Sequence, residues 1–288
     1  MSFYKAINYW VLGGFAGEKS ALDAIKDAKE MGLGLELTFG DCLKPDITRA
    51  ECEDIAAAAR KQGVGLRTLA TGAYWGSSLG AADEKERAAA IKFTEKYLQA
   101  AAWLGAEGVL VVPGAVQVAW DPSRPVVPYQ TVWEKSAASL RGLLPLAESL
   151  RVDICLENVW NKFLLSPIEF KLYVDQFASS RLGVYLDVGN MLLNGFPEHW
   201  VETLGKRVKA VHAKNFKGSD CAGGLHGFGD DLLEGDVNFP AVTAALLATG
   251  FAGPVTVEMI PFCRLPDLVL PDMALARKVA GQLKGLFR

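Results

Sequence analysis

The sequence has few histidines and no paired cysteines. Its 288 residues include only three His, and its five Cys are scattered without a C-x-x-C pair. An odd number of scattered cysteines fits free thiols in a reducing compartment better than a disulfide framework. We therefore expect a cytoplasmic protein with free thiols.

Three further absences exclude classes of protein. The net charge is −3, without the basic surplus that is typical of a nucleic-acid-binding protein. No apolar run approaches the roughly 18–20 residues of a membrane span, and the first residues, MSFYKAINYW, lack the order of a signal peptide. No G-x-G-x-x-G follows an early strand, since LGGFAG at 12–17 has the wrong spacing. We expect no nucleic-acid partner, no membrane contact and no dinucleotide site.

Short apolar runs alternate with longer amphipathic runs along the chain. Several of the short runs, such as GVLVVPG at 108–114, are apolar throughout, as is typical of strands buried on both faces. The predicted strands are 3–11, 33–39, 64–70, 108–113, 152–159, 182–188, 208–215 and 254–260. The predicted helices are 19–31, 48–62, 84–104, 131–150, 166–179, 197–206, 238–249 and 270–286.

Eight strand–helix units in strict alternation indicate a parallel sheet with right-handed crossovers. At this length that number favours closure into a (β/α)8 TIM barrel, and an open doubly wound sheet is the second choice. Because no linker or repeat interrupts the pattern, we expect residues 1–288 to form a single domain. In such barrels the chemistry lies where the strands end.

Four successive predicted strands end in a polar residue within an apolar setting. The segments are ICLENVW, VYLDVGN, KAVHAKN and VTVEMIP, and the residues are Glu157, Asp187, His212 and Glu258. Three carboxylates at one point repel each other unless a proton or a cation neutralises them. Three oxygens and one nitrogen suit Mn²⁺, Mg²⁺ or Co²⁺, with Zn²⁺ as a further candidate. The pattern predicts one divalent metal ion at the barrel mouth.

Each of these residues alone has an ordinary alternative. Asp187 or Glu157 would equally well cap the next helix or pair with a lysine, and a single His212 is more often a satisfied core histidine. Glu258 beside Met259 is harder to explain in this way, because an unpaired buried carboxylate is costly. The repetition over four strands favours the metal site. His199, in a predicted helix, is expected to have a surface or packing role.

A metal flanked by two carboxylates suits chemistry at a hydroxy-ketone. The ion polarises the carbonyl and acidifies the neighbouring C–H, which gives a metal-stabilised cis-enediolate. One carboxylate takes the proton, and a second carboxylic acid returns one to the opposite face or to the neighbouring carbon. Glu157 and Glu258 are the best such pair, because they lie on the fifth and eighth strands and can bracket a substrate.

The segments ICLENVWNKF, YLDVGN, VHAKNF, LLEGDVNFPAV and VTVEM resemble the sugar phosphate isomerase/epimerase family of xylose isomerase-like TIM barrels. The nearest branch holds the tagatose 3-epimerases and L-ribulose-5-phosphate 3-epimerases. The resemblance implies that Glu157, Asp187, His212 and Glu258 bind the metal and that the two Glu exchange protons with the substrate. It also implies a sugar or sugar phosphate as the partner. Similar families form dimers or tetramers, so homo-oligomerisation stays open.

Asn190 departs from the free-sugar pattern, in which the tagatose-type enzymes usually carry His three residues after the metal Asp. The sequence DVGN occurs in the sugar-phosphate branch, so Asn190 is a candidate substrate contact for either class. Asn215 stands where Asp is often found. In place of a substrate-binding acid soon after the first Glu, the chain has Lys162.

Further substrate contacts are predicted with alternatives. Glu36, near the end of the second strand, is a candidate for substrate hydroxyls, with a cap or salt bridge equally open. Lys214 and His226 are candidates to stabilise an oxyanion or bind phosphate, and Arg264 is another phosphate candidate. Trp10, Trp75 and Trp160 are predicted to wall the pocket or simply to pack. The Gly-rich stretch 216–236 is predicted as a mobile lid, with a surface excursion as the alternative.

Three functions remain open at this point. The first is a metal-dependent epimerase or isomerase of a ketose or ketose phosphate. The second is a dehydratase or lyase acting on an inositol-like or keto-acid substrate, which shares the first proton abstraction. The third is a non-catalytic sugar-binding barrel. Endonuclease-type relatives, with several zinc ions and many histidines, are nearly excluded by the three His.

Overall fold

Strands and helices alternate along the chain, as the sequence predicts. The computed structural model describes residues 3–16, 19–221, 224–260 and 270–288. The strands are β1 (Tyr4–Asn8), β2 (Gly34–Thr38), β3 (Thr68–Ala70), β4 (Gly108–Val111), β5 (Asp153–Glu157), β6 (Leu182–Asp187), β7 (Val208–Ala213) and β8 (Pro254–Val257). The helices are α1 (Ala21–Glu30), α2 (Arg49–Gln62), α3 (Glu84–Leu104), α4 (Tyr129–Leu150), α5 (Pro167–Asp175), α6 (Pro197–Leu204), α7 (Phe239–Ala248) and α8 (Met273–Leu286).

The eight strands form a closed parallel barrel in the order β1 to β8, with β8 paired to β1. The predicted (β/α)8 TIM barrel is therefore confirmed. Helices α1 to α8 cover the outside, and one continuous apolar core fills the space between strands and helices. The assignment of the whole of residues 1–288 to one domain stays a prediction, because parts of the chain lie outside the described ranges.

Local signals explain where several helices begin and end. α2 begins with a capping box, in which the Thr48 side chain accepts from the Glu51 N–H and the Glu51 side chain accepts from the Thr48 N–H. α5 begins at Pro167 after the Ser166 cap. α2 and α3 end at Gly63 and Gly105, whose φ angles of 71° and 77° are left-handed. These ends agree with the predicted ones.

Other boundaries differ from the prediction. β1 stops at Asn8 rather than 11, because the Asn8 side chain accepts a hydrogen bond from the Trp10 N–H at 2.8 Å and turns the chain. α5 stops at Asp175 rather than 179, ahead of Ala178, whose φ of 48° is left-handed. α8 begins at Met273, where the Asp272 side chain caps the Leu275 N–H at 2.8 Å.

The strand ends bring the polar residues to one end of the barrel. Glu157 and Asp187 are the last residues of β5 and β6, His212 is the last but one of β7, and Glu258 directly follows β8. Asp187 is paired in register with His212 across β6 and β7. The carboxyl ends of these four adjacent strands therefore hold the four residues that the sequence singled out.

Membrane-spanning helices and disulfides were two further points of the sequence analysis. In the described part of the chain, no helix combines the length and the apolarity that crossing a membrane requires. Cys42, Cys52 and Cys155 are free thiols, as expected, while Cys263 lies outside the described residues.

Candidate metal centre

The four strand-end residues meet in one buried cluster. Glu157, Asp187, His212 and Glu258 each offer one donor atom, and these four atoms all lie within 4.8 Å of one another. All four residues are buried, with Asp187 and His212 wholly excluded from solvent. The cluster therefore joins three carboxylates and one imidazole, as the polar residues at the ends of four successive predicted strands indicated.

Two buried atoms of the cluster, His212 Nδ1 and Asp187 Oδ2, make no hydrogen bond within the described residues. Asp187 Oδ2 does have an ion-pair partner, the Lys214 ammonium at 3.1 Å. His212 Nδ1 lies 3.6 Å from both Glu157 Oε1 and Glu258 Oε2, so this ring atom faces two carboxylate oxygens. Buried polar atoms without a partner are costly, and a cation between them removes that cost. The donor set therefore fits a divalent ion that accepts oxygen and imidazole ligands.

Asp187 is held in place through both its side chain and its backbone. Its Oδ1 accepts hydrogen bonds from the N–H groups of Gly189 at 2.8 Å and Asn190 at 2.9 Å. Its own backbone N–H and C=O pair with the Asn158 side chain at 2.9 and 2.8 Å. Because Oδ1 is engaged in this way, Oδ2 remains as the oxygen that faces the cluster. Asp187 thus caps the turn after β6 and belongs to the cluster at the same time.

Glu36 lies beneath His212 and is wholly buried. Its Oε1 accepts from Asn8 Nδ2 at 2.9 Å and contacts His212 Nε2 at 2.7 Å. Its Oε2 accepts from Thr68 Oγ1 at 2.6 Å and from the Tyr185 hydroxyl. Burial alone would raise the pKa of Glu36, but the His212 charge and these hydrogen bonds keep it below its usual range. Glu36 therefore supports His212 with both of its oxygens engaged, and it is not among the residues that line the cavity.

The contact with Glu36 also sets the orientation of the imidazole. In the neutral ring, a carboxylate at Nε2 favours the proton on Nε2, which leaves the Nδ1 lone pair for a metal ion. Burial would lower the pKa of His212, but the charges of Glu258 and Glu36 raise it well above its usual range. His212 therefore favours a second proton on Nδ1, which a metal ion would have to displace.

Glu157 has a strongly shifted pKa. Burial raises the pKa to about 7, the attraction of the nearby His212 opposes this rise, and the neighbouring charge of Glu258 adds to it. A carboxyl with a pKa near neutrality can exchange protons with a bound molecule in either direction.

Lys214 follows β7 and reaches into the cluster from its edge. Its Nζ lies 2.5 Å from Glu258 Oε2 and 3.1 Å from Asp187 Oδ2, and 5.2 Å from the centre of the Phe228 ring. Burial opposes its positive charge, but the carboxylates of Asp187 and Glu258 raise the pKa of the amine. One cation of the chain thus already offsets part of the negative charge of the cluster.

A cavity of about 70 Å³ opens above the cluster. Asn190, Lys214 and Trp160 line it together with Glu157 and Glu258. The indole Nε1 of Trp160 is buried without a hydrogen-bond partner among the described residues, so it is a donor available to a ligand. Three of the predicted substrate contacts are therefore at the cavity.

The other predicted contacts lie elsewhere. His226 is exposed, although Leu225 and Phe228 of the same segment line the cavity. Arg264 lies outside the described residues. His199 is exposed on α6, in keeping with its expected surface role. Trp10 and Trp75 line the cavity wall, which is the first of the two roles predicted for them, the second being packing alone.

Leu225 and Phe228 of the segment 216–236 line the cavity, and the described part of the segment is fixed at both ends. Asn215 Nδ2 donates to the Leu232 carbonyl at 2.7 Å, and Asn215 Oδ1 accepts from the Phe216 and Val237 N–H groups at 2.9 and 3.1 Å. Phe216 and Phe228 pair in an isolated bridge and pack against Trp160. This position is the one that a lid would occupy, whereas movement of the segment stays a prediction.

The sequence reasoning missed several supporting residues. Asn158, Thr68 and Tyr185 were not singled out, yet they fix Asp187 or Glu36. A weak signal existed for two of them, because Asn158 directly follows Glu157 and Thr68 stands in an apolar strand. Tyr185 gave none, since a tyrosine in an apolar strand is ordinary core.

Comparison with known proteins agrees with this architecture. The sequence model of the family described as "xylose isomerase-like TIM barrel" matches residues 25–279. The structure of L-ribulose 3-epimerase is 17% identical, with a TM-score of 0.79 over 100% of this chain and 95% of that one. D-psicose 3-epimerase from Clostridium cellulolyticum H10, solved with D-tagatose, is 20% identical, with a TM-score of 0.75 over 99% and 95%.

A third similar structure is 3-keto-D-glucoside 4-epimerase from E. coli, at 17% identity and a TM-score of 0.73 over 98% of this chain and 99% of that one. At such identities the likeness establishes the fold. No curated protein matches the sequence at a significant level.

Proposed function

The chain belongs to the xylose isomerase-like TIM barrel family, and on that basis we propose that it is a divalent-metal-dependent epimerase or isomerase of a ketose or ketose phosphate. The observation that carries the proposal is the pair of carboxylates Glu157 and Glu258 in one buried cluster with Asp187 and an unpaired His212 Nδ1. The ketose 3-epimerases of similar fold support the substrate class.

Glu157, Asp187, His212 and Glu258 would hold the ion, with His212 binding through Nδ1 and Asp187 through Oδ2. The candidates are Mn²⁺, Mg²⁺, Co²⁺ and Zn²⁺, all of which accept this donor set. When bound, the ion would polarise the substrate carbonyl and hold the negative charge that develops on it.

The proton steps belong to the two glutamates. One carboxylate takes the proton from the carbon beside the carbonyl, and the other glutamate, as the acid, returns a proton. Return to the opposite face of the same carbon epimerises it, whereas return to the neighbouring carbon isomerises the sugar. The pKa of about 7 at Glu157 suits a group that both accepts and donates.

Other side chains around the cavity would bind the sugar. The unpaired Trp160 Nε1 would donate to a hydroxyl, and Asn190 lies on the cavity wall. Lys214, held between Asp187 and Glu258, would steady the negative charge of the enediolate. His226 and Arg264 stay as candidates for a phosphate. Cytoplasmic location and assembly as a dimer or tetramer also stay predictions.

Deuterium exchange tests the proposal directly. The protein is incubated with Mn²⁺ and a panel of ketoses and ketose phosphates in D₂O, and the sugars are examined by NMR. Deuterium at C3 indicates 3-epimerisation, whereas deuterium at C1 or C2 indicates isomerisation. Glu157→Gln and Glu258→Gln should each lose the exchange, while Glu95→Gln, which changes an exposed residue of α3, should keep it. The absence of exchange with every sugar would reject the enediolate mechanism.

Two additions to this experiment separate the alternatives: inositol-like and keto-acid substrates in the panel, and titration calorimetry for binding. Loss of water from one of the added substrates would indicate the dehydratase. Sugar binding and metal binding without any exchange would indicate the non-catalytic barrel.

A further inference from the structure

A second and larger cavity adjoins the cavity above the metal centre. It has a volume of about 420 Å³, against about 70 Å³ for the first. The two cavities share four wall residues, Trp10, Thr71, Trp75 and Trp120. We call the larger cavity the annex. Its volume lies in the roughly 300–1,000 Å³ range of small-molecule sites, and its shared wall places it directly beside the site.

The wall of the annex is mainly aromatic. Trp75 and Trp120 meet edge to face, with ring centres 4.3 Å apart, and Trp10 meets Phe15 in the same way at 6.0 Å. Trp120 is 39% exposed, which is unusual for so large an apolar side chain. Aromatic faces carry negative partial charge and attract the slightly positive C–H faces of a sugar ring.

The polar side of the annex is negative. Among the described residues that line it, Asp41 carries the single formal charge. Trp10 Nε1 donates to Asp41 Oδ2 at 2.8 Å, which orients both side chains. A carboxylate accepts hydrogen bonds from hydroxyl groups but repels a phosphate. The annex thus suits a neutral ligand that is rich in hydroxyls.

We propose that the annex binds a second, uncharged sugar ring that is linked to the ketose at the metal centre. The substrate class is then a disaccharide with a ketose end rather than a free or phosphorylated ketose. This inference rests on the proposed function for the placement of the ketose. The occupant follows from three features of the annex, namely the wall that it shares with the cavity above the cluster, its aromatic side chains and its negative charge.

Calorimetric titration of the Mn²⁺-loaded protein with four sugars tests the inference. Lactulose and isomaltulose carry a second ring on a ketose, whereas D-fructose and fructose 6-phosphate do not. We expect at least one of the two disaccharides to bind ten times more tightly than D-fructose, and fructose 6-phosphate to bind more weakly than that disaccharide. Equal or weaker binding of both disaccharides, tightest binding of the phosphate, or no binding of any sugar would overturn the inference.

Two variants locate the effect in the annex. Ala73→Leu places a larger side chain on the annex wall, and Asp41→Asn removes its charge. Each should reduce the ratio of disaccharide to D-fructose affinity at least fivefold. Trp103→Phe, on the outer helix α3 away from both cavities, is the control and should keep the wild-type ratio. An unchanged ratio in both annex variants, with melting temperatures like that of the wild type, would contradict the assignment.

The outcomes also separate the annex from the proposed function. If no sugar exchanges deuterium but a disaccharide binds tightly and Ala73→Leu weakens that binding, the catalytic proposal is rejected and the proposed role of the annex is supported. If D-fructose exchanges deuterium but neither disaccharide binds more tightly than D-fructose, only the proposed role of the annex is rejected.

Discussion

Glu36 Oε1 lies 2.7 Å from His212 Nε2, and both side chains are wholly buried. The carboxylate comes from β2 and the imidazole from β7, so the contact crosses the interior of the barrel. The remaining hydrogen bonds of Glu36 come from three other strands, which leaves the imidazole little freedom to turn. The Nδ1 atom of His212 is therefore fixed in the direction of the three carboxylates.

Replacement of Glu36 by Gln should weaken metal binding. The amide keeps the size of the side chain but removes the charge that favours a proton on Nε2. The imidazole then has a weaker preference for the form in which the Nδ1 lone pair can bind a metal ion. Such supporting partners typically contribute about 10–100-fold in metal affinity. Calorimetric titration of Mn²⁺ into Glu36→Gln should show a loss of that order.

The protonation of His212 gives an independent measurement for the same variant. Nitrogen-15 NMR of the imidazole of the metal-free protein should show protons on both ring nitrogens at neutral pH in the wild type, and a lower pKa of His212 in Glu36→Gln, because the charge of Glu36 raises that pKa. Glu95→Gln serves as a surface control and should match the wild type in both experiments. Wild-type affinity in Glu36→Gln would show that the contact does not govern the orientation of His212.

Removal of the metal should destabilise the protein. An ion that binds the folded state alone adds about 2.7 kcal/mol at a hundred times its dissociation constant. For a domain of this size, that corresponds to a rise of roughly 5–10 °C in the melting temperature. Calorimetry with EDTA and with added Mn²⁺ should show this difference, and His212→Ala should abolish it.

His199→Ala is the matched control for the metal experiment, because His199 is exposed on α6. It should keep the full difference between the EDTA and Mn²⁺ samples. A metal-dependent rise that survives in His212→Ala would place the ion elsewhere.

Metal binding should depend on pH through Glu157. Its carboxyl has a pKa of about 7 when folded without metal, which is above the unfolded value of 4.5. The folded metal-free state therefore binds the extra proton between these values, and Glu157 contributes stability that is lost as the pH rises through 7. A metal ion must displace that proton below pH 7, so its affinity should rise with pH by up to about tenfold per unit there.

Titrations in buffers with different enthalpies of ionisation count the protons released on metal binding. The wild type should release about one proton more than Glu157→Gln near pH 6. Equal counts in the two proteins would mean that Glu157 is already ionised in the metal-free state.

Lys214→Met should destabilise the metal-free protein more than the metal-loaded one. The ammonium lies against Glu258 and Asp187, and loss of one partner of a buried ion pair costs about 3–5 kcal/mol. The charge of the ion compensates for the loss when metal is bound. The rise in melting temperature on addition of Mn²⁺ should therefore be larger in Lys214→Met than in the wild type, whereas Lys92→Met, at an exposed position of α3, should show the wild-type rise.

The barrel and the buried cluster of Glu157, Asp187, His212 and Glu258 were predictable because their signals are local. Each of the four cluster residues is a polar residue at or directly after the end of an apolar strand, and eight strand–helix units at this length favour closure. Helix α3 was predicted to the residue, since the Asp83 cap and the left-handed Gly105 mark its two ends. Such signals lie within one turn of the feature that they define.

The support of the cluster was not predictable from the sequence, because it depends on contacts between distant strands. Glu36 meets His212 across 176 positions and Tyr185 across 149 positions of the chain. Nothing near Glu36 in sequence distinguishes this role from a substrate contact. In the same way, α5 ends ahead of a left-handed Ala178, a residue type that gives no sign of that conformation.

The segment 216–236 should depend on Asn215 for its position over the cavity. Asn215 is buried, and its side chain joins Leu232 to Phe216 and Val237, so it ties the two ends of the segment together. Asn215→Ala leaves two N–H groups and one carbonyl without partners, at about 1–3 kcal/mol for each group that stays buried. Limited proteolysis should therefore cut Asn215→Ala within 216–236 faster than the wild type, while Asn194→Ala, at an exposed position before α6, should be cut at the wild-type rate. If Asn215→Ala resists proteolysis as well as the wild type, the segment is held by the packing of Phe216 and Phe228 against Trp160 instead.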